Sequence, residues 1–144
     1  MTRHHRGVAL VEFTLILPLL LILTFITTEF GRALYQYNTL AKSVRDAARY
    51  LSIQLPNTKI TEARNLVVYG NTAGTGPVLA LGLTATTTHV PDPTWQPAGA
   101  NPTISTVRVQ VTNYTFNSLI PSVFGLNIGS YTFPTISATM RSHL

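Results

Sequence analysis

The chain has 144 residues, a formal net charge of +5 at pH 7 and no cysteine. The length is one domain's worth, and the missing cysteine excludes disulfides and thiolate metal sites. Only 10% of residues are charged, against ~25% in soluble globular domains. Nucleic-acid binding is disfavoured, because Asp46 sits among Lys42, Arg45 and Arg49 on the one helical face that gathers basic residues.

The chain opens on MTRHHRG, a short basic stretch. From Val8 to Thr27 the sequence then runs Leu- and Ile-rich. As a helix this run spans ~30 Å, the thickness of a bilayer's hydrocarbon core. It carries one carboxylate, Glu12. A charge at membrane depth costs up to ~3 kcal/mol on insertion scales, and such residues are usually functional. A cleavable secretory signal fits poorly, because Glu12 and Pro18 interrupt the apolar region and no A-x-A-like site follows in ITTEFGRAL. A plain uncleaved anchor leaves Glu12 unexplained. A prepilin-type signal gives it a use. The basic leader stays in the cytoplasm, a peptidase cuts after Gly7, and Val8 becomes the new N-terminus. Its freed amine, cationic at neutral pH, can pair with a Glu12 carboxylate. A buried pair costs less than either charge alone. Arg3, Arg6 and two histidines crowd the N-terminal flank, which favours the cytoplasmic side for it and the opposite side for the rest.

The stretch R-G-V-A-L-V-E-F resembles the type IV pilin and pseudopilin processing motif: glycine, then glutamate at the fifth position and an aromatic, here Phe13. The longer run from Arg6 to Ser52, with EFGRAL inside it, is similar to the TadE-like minor pilins of bacterial tight-adherence systems. So are ARNLVVYGN at Ala63 to Asn71 and the closing pattern TVRVQVTNYTF…ATMR. The resemblance implies cleavage between Gly7 and Val8 by a prepilin peptidase. It also implies assembly with other pilin subunits on the pilus assembly platform, and a role in building a fibre or secretion pseudopilus. Glu12 and Phe13 become the assembly and recognition residues.

Pro18 predicts a kink, since it removes the hydrogen bond to Thr14. Beyond Glu29 an apolar stripe recurs at Phe30, Leu34, Tyr37, Ala41, Val44, Ala48 and Leu51, with steps of four and three. It reads as packing against the chain's own domain, or as a surface shared between subunits, along different parts of its length. Pro56 should end the helix at or before Leu55. A local Asp46–Arg49 pair is expected on the solvated face.

The remainder reads as a small domain. TKITEARNLVVYG predicts a second helix, capped by Thr58 or Thr61 and stopped by Gly70. NTAGTGP is a surface loop, and it lacks the lysine and the strand-to-helix setting of a phosphate cradle. Leu83 to Val90 reads as a threonine-rich strand, and PDPTWQPAGANP as a proline-broken loop folded back around Trp95. Thr103 to Phe116 and Tyr131 to Met140 alternate as strands, with Pro134 marking an edge or a break. NSLIPSVFGLNIG is expected to close the core, or else to present Leu119, Ile120, Val123 and Phe124 to another subunit or the membrane surface. About 90 residues make a marginal core alone, so the helix must contribute.

Catalytic chemistry is not legible. Glu12, Glu29, Asp46, Glu62 and Asp92 form no obvious pair, His89 and His143 are isolated, and a triad from His89 and Asp92 has no support in spacing. No metal site, cofactor, catalytic residue or small-molecule substrate is expected. The expected fold is α+β: a leader at 1–7, a long helix at 8–55 and a small extracytoplasmic domain at 56–144. The helix divides into a transmembrane part, 8–28, and an amphipathic part, 29–55. The expected function is that of a minor pilin in the bacterial cytoplasmic membrane or its fibre. The alternative is an uncleaved single-pass accessory protein of an envelope complex.

Overall fold

A computed structural model describes residues 5–143. Arg3 and His4 of the expected leader lie outside the described residues. The chain is α+β. Helix α1 runs from His5 to Leu51, and α2 from Ile60 to Tyr69. Seven short strands follow: β1 (Thr94–Ala98), β2 (Ile104–Val111), β3 (Thr115–Asn117), β4 (Ser122–Val123), β5 (Leu126–Asn127), β6 (Ser130–Thr132) and β7 (Ile136–Arg141). Strands β1, β2 and β7 form one antiparallel sheet with β2 in the middle, while β3–β6 and β4–β5 are separate two-stranded pairs.

The long helix follows from its composition, and its hydroxyls do not interrupt it. Thr14, Thr24, Thr27 and Thr28 each donate their hydroxyl to the carbonyl four residues back, at 2.7–2.8 Å. That satisfies a polar group internally, as a lipid environment requires. Pro18 lies within the helix and does not end it.

The core forms on the outer part of α1. Leu40, Val44, Ala47, Ala48 and Leu51 are buried, and they meet Ala63, Val67 and Val68 of α2 and Val107, Val109 and Val111 of β2. The strand residues alternate as their sequence predicts, with Arg108 exposed between buried valines. The alanines of α1 let α2 and the sheet approach closely. Tyr114, also buried, reaches from beyond β2 to within 2.8 Å of Gln36 on α1 and 2.9 Å of the Leu81 carbonyl. Its burial pushes the phenol pKa up, with Arg32 opposing.

The ARNLVVYGN stretch makes a corner. Gly70 takes the left-handed conformation (φ 74°) that closes α2, and its N–H bonds the Leu66 carbonyl. Asn71 donates to the Thr75 carbonyl and accepts from the Thr75 N–H, holding the loop that follows.

Several expectations are corrected. Leu83 to Val90 is not a strand. Its backbone bonds are local, as in Val90 N–H to the Thr86 carbonyl at 2.8 Å, and it buries Leu83 and Val90 as a looped segment. Threonine favours strands, but its hydroxyl also supports local turns; here Thr84 bonds Thr86 and His89. The third strand of the sheet is instead β1, inside the expected proline-broken loop. Pro97 is tolerated because β1 is an edge strand. Trp95 pairs with Val107 and packs on the core. Thr103 to Phe116 divides into β2 and β3 around Asn113, whose φ of 55° breaks the extended run. Tyr131 to Met140 divides at Pro134, as one of the two readings of that proline expected. Neither Thr58 nor Thr61 caps α2: Lys59 precedes it in a left-handed conformation without a side-chain cap bond, and Thr58 bonds back to Leu55. No ion pair joins Asp46 to Arg49 among the described residues; the pairs there are Glu29–Arg32, Lys59–Glu62 and Arg64–Asp92.

Candidate assembly surface

The inner part of α1 has no cover from its own chain. From Gly7 to Thr28 every residue is exposed or half-exposed, including Val8, Phe13, Leu15 and Leu19. The most apolar 18-residue window of the helix has a mean hydropathy of 2.5, and none of it is buried. A soluble protein's core helix would be covered. Leaving this much Leu, Ile and Phe in water is strongly unfavourable, at ~25 cal/mol per Å². The helix is long and apolar enough to cross a membrane, and this is the pattern of a single-pass membrane protein.

Gly7, Val8, Glu12 and Phe13 lie together on this bare segment, with Glu12 one helical turn above Val8. Among the described residues Glu12 has no partner. Gly7 has open space where a Cβ would stand, and so does Gly31. Neither glycine is required by packing within the chain, although each costs helix stability relative to alanine.

The stripe from Phe30 to Leu51 divides in two. Val44, Ala48 and Leu51 are in the core and Ala41 is half-buried against it. Phe30, Leu34 and Tyr37 instead line an open apolar groove of ≈ 600 Å³, closed on its other side by Phe116, Ile128, Tyr131 and Phe133. Phe133 is the centre of its wall: Tyr37 meets it edge-on at 5.6 Å, and Phe116 stacks on it at 6.4 Å.

One charged pair sits at the membrane-proximal end of the groove. Glu29 is buried and binds Arg32 through both oxygens, at 2.7 and 2.8 Å. It also accepts the Leu119 N–H at 3.2 Å, tying a loop 90 residues away onto the helix. Arg32 lies over the Phe116 ring at 5.2 Å. Burial pushes the Glu29 pKa up, but hydrogen bonds from Ser118, Arg32 and Leu119 outweigh it, and the carboxyl is held below its ordinary value. In the sequence Glu29 stands three residues before Arg32, the spacing of a local helical pair. Its spacing to Arg32 was legible; its bond to Leu119 was not.

The polar side chains elsewhere are engaged in separate bonds. His89 accepts from Thr84, and Asp92 pairs with Arg64, so the two do not combine as a dyad. No three His, Asp or Glu side chains come together among the described residues.

Comparison with protein families matches residues 7–49 to the TadE-like protein family. The match begins at Gly7 and ends within the last turn of α1, so it covers the bare segment and the stripe as far as Ala48, but not Leu51 or the outer domain. Over its long helix the chain is similar to that family, in the segment that carries the motifs. No curated protein and no solved structure matches it.

Proposed function

We propose that the chain is a minor pilin or pseudopilin of a tight-adherence pilus system, with no catalysis of its own. A prepilin peptidase removes residues 1–7 by cutting between Gly7 and Val8. The span at 8–28 then holds the subunit in the cytoplasmic membrane, with the domain at 56–144 outside. Other pilin subunits and the assembly platform take it from the bilayer into a fibre or initiate one with it.

The observation that carries this reading is a carboxylate without a partner on an uncovered apolar helix. Glu12 lies about 6 Å along the axis from Val8, within range of the N-terminal ammonium that cleavage frees. Pairing with that ammonium on a neighbouring subunit offsets part of the cost of burying Glu12 and fixes the register between packed helices. Gly7, with no packing role in the chain, supports a role in peptidase recognition. Phe30, Leu34 and the groove beside them offer a second apolar contact for a neighbouring subunit, continuous with the span.

The test is Glu12→Ala. The variant is expected to insert in the membrane at normal levels but to fall at least tenfold in the fibre or assembly-platform fraction. Normal incorporation would remove the pairing argument.

A further inference from the structure

The loop between β3 and β6 folds as a small β4–β5 hairpin that breaks two rules at once. Its two-residue turn, Phe124-Gly125, has positive φ at both positions, 48° and 81°. That is the signature of a tight hairpin turn whose first position favours asparagine, aspartate or glycine. A phenylalanine there is conformationally strained. It is also 65% exposed, beside Leu119 at 67% and Leu126 at 52%. Only Val123 of the hairpin's large apolar residues is buried. The expected core closure is therefore corrected for part of this segment: Val123 is buried, but Leu119, Phe124 and Leu126 face outward. Strain and exposure together at one aromatic call for an apolar phase outside the chain.

Its place in the fold says which one. Leu119 is bonded to Glu29, two residues beyond the apolar run Val8–Thr27. Two residues of helix rise are about 3 Å. The core residues of α1, Leu40–Leu51, lie roughly 20–36 Å beyond the end of that run at the same rise. From Val109 to Met140 the sequence has no Asp, Glu, Lys, Arg or His, so no charge on the hairpin resists an apolar surface.

We infer that the β4–β5 hairpin is a membrane foot. It inserts Phe124, Leu126 and Leu119 into the headgroup–acyl boundary of the bilayer, beside the point where α1 leaves it. Exposed Tyr131 sits behind them, in the position of an interfacial aromatic. The inference rests on the reading of α1 as a spanning helix. The lipid it takes is the uncharged or zwitterionic interface, since the foot carries no charge to recognise an anionic headgroup. The foot fixes the height and rotation of the outer domain over the membrane before a subunit is extracted.

The natural absence of cysteine permits a direct test. A single nitroxide is placed on L126C of the full chain in phosphatidylcholine nanodiscs, one chain per disc. L119C repeats the measurement, L15C reports the span and I53C the far end of the domain. Collisions are compared for oxygen, which concentrates in lipid, and for a water-soluble nickel chelate. The expected result is a label at L126C several-fold more accessible to oxygen relative to nickel than at I53C, unchanged by added salt. Adding Phe124→Asn, which suits the turn but removes the anchor, should raise nickel accessibility at L126C severalfold. If L126C matches I53C while L15C stays shielded from nickel, the foot is wrong and the span stands. If L15C is itself open to nickel, the spanning reading fails and takes the foot with it. A label shielded from both reagents reports burial in protein, which also overturns the foot.

Discussion

The two parts of helix α1 are built from similar residue types and meet opposite fates. Around Leu40, Val44 and Leu51, leucine and valine alternate with alanine, and the face is sealed by α2 and the sheet. Around Leu15, Leu19 and Leu23, bulkier apolar side chains surround the helix and touch nothing else in the chain. Amphipathicity accounts for the difference. The outer part has one apolar face and a solvated back at Lys42, Arg45 and Arg49, so a small domain can cover it. The inner part is apolar all round, and no domain of about 90 residues can enclose it. Its cover has to be lipid or other subunits.

The largest expected effect comes from exchanging the same mutation between the two parts. Leu51→Ala empties a fully buried site and should cost the outer domain ~3 kcal/mol, within the range for core leucines. Leu19→Ala should change the same stability by less than about 0.5 kcal/mol, the range for uncovered positions. The lone tryptophan, Trp95, packs on the core and reports the unfolding by fluorescence in urea. Equal losses from both variants would mean that the inner part is covered by the chain after all.

The junction between the two parts is sharpened by Glu29→Gln. The amide leaves Arg32 without its charged partner and weakens the bond to Leu119, at an expected cost of about 1–2 kcal/mol. The sign of the pH dependence follows from the direction of the shift. A carboxyl held below its ordinary value stabilises the fold fully above that value of 4.5, and the contribution is lost as pH falls below it and through the folded value. The difference in stability between wild type and Glu29→Gln should therefore be constant near neutral pH and shrink below about pH 4.5. A difference that does not change with pH would mean that the ionised carboxylate is not what holds the loop.

A small effect of opposite sign is predicted at Gly31. With open space at its Cβ position, Gly31→Ala should stabilise the isolated chain by about 0.5–1 kcal/mol through helix propensity alone. Reduced recovery of this stabilised variant with its partner subunits would mark Gly31 as a point of close approach between helices. Unchanged recovery would confine the subunit contact to the inner part.

Much of this was legible in the sequence. The long helix, its apolar inner segment, the stop of α2 at Gly70 and the inward valines of β2 all follow from periodicity and local chemistry. The motif from Gly7 to Phe13 was legible as a resemblance, and the family match covers that segment. What failed was where local signals conflict with tertiary pairing. Threonines in Leu83–Val90 use their strand-favouring side chains for turns, and β1 forms across a proline because its outer edge needs no donor. The stripe was read as one face, yet its first three residues line a groove, because the sheet packs only beyond Leu40. The Phe124 turn was illegible for another reason: nothing in FGL indicates φ > 0 at a phenylalanine. Positions where local preference is overridden in this way tend to be functional.

On the proposed function, the inner part of α1 is freed at Val8 so that Glu12 gains a partner between subunits. Intact mass with N-terminal sequencing of the protein from its native membrane tests it most directly. A chain beginning at Val8 is the predicted result. A chain still beginning at Met1 would contradict it and return Glu12 to an anchor that has no use for it.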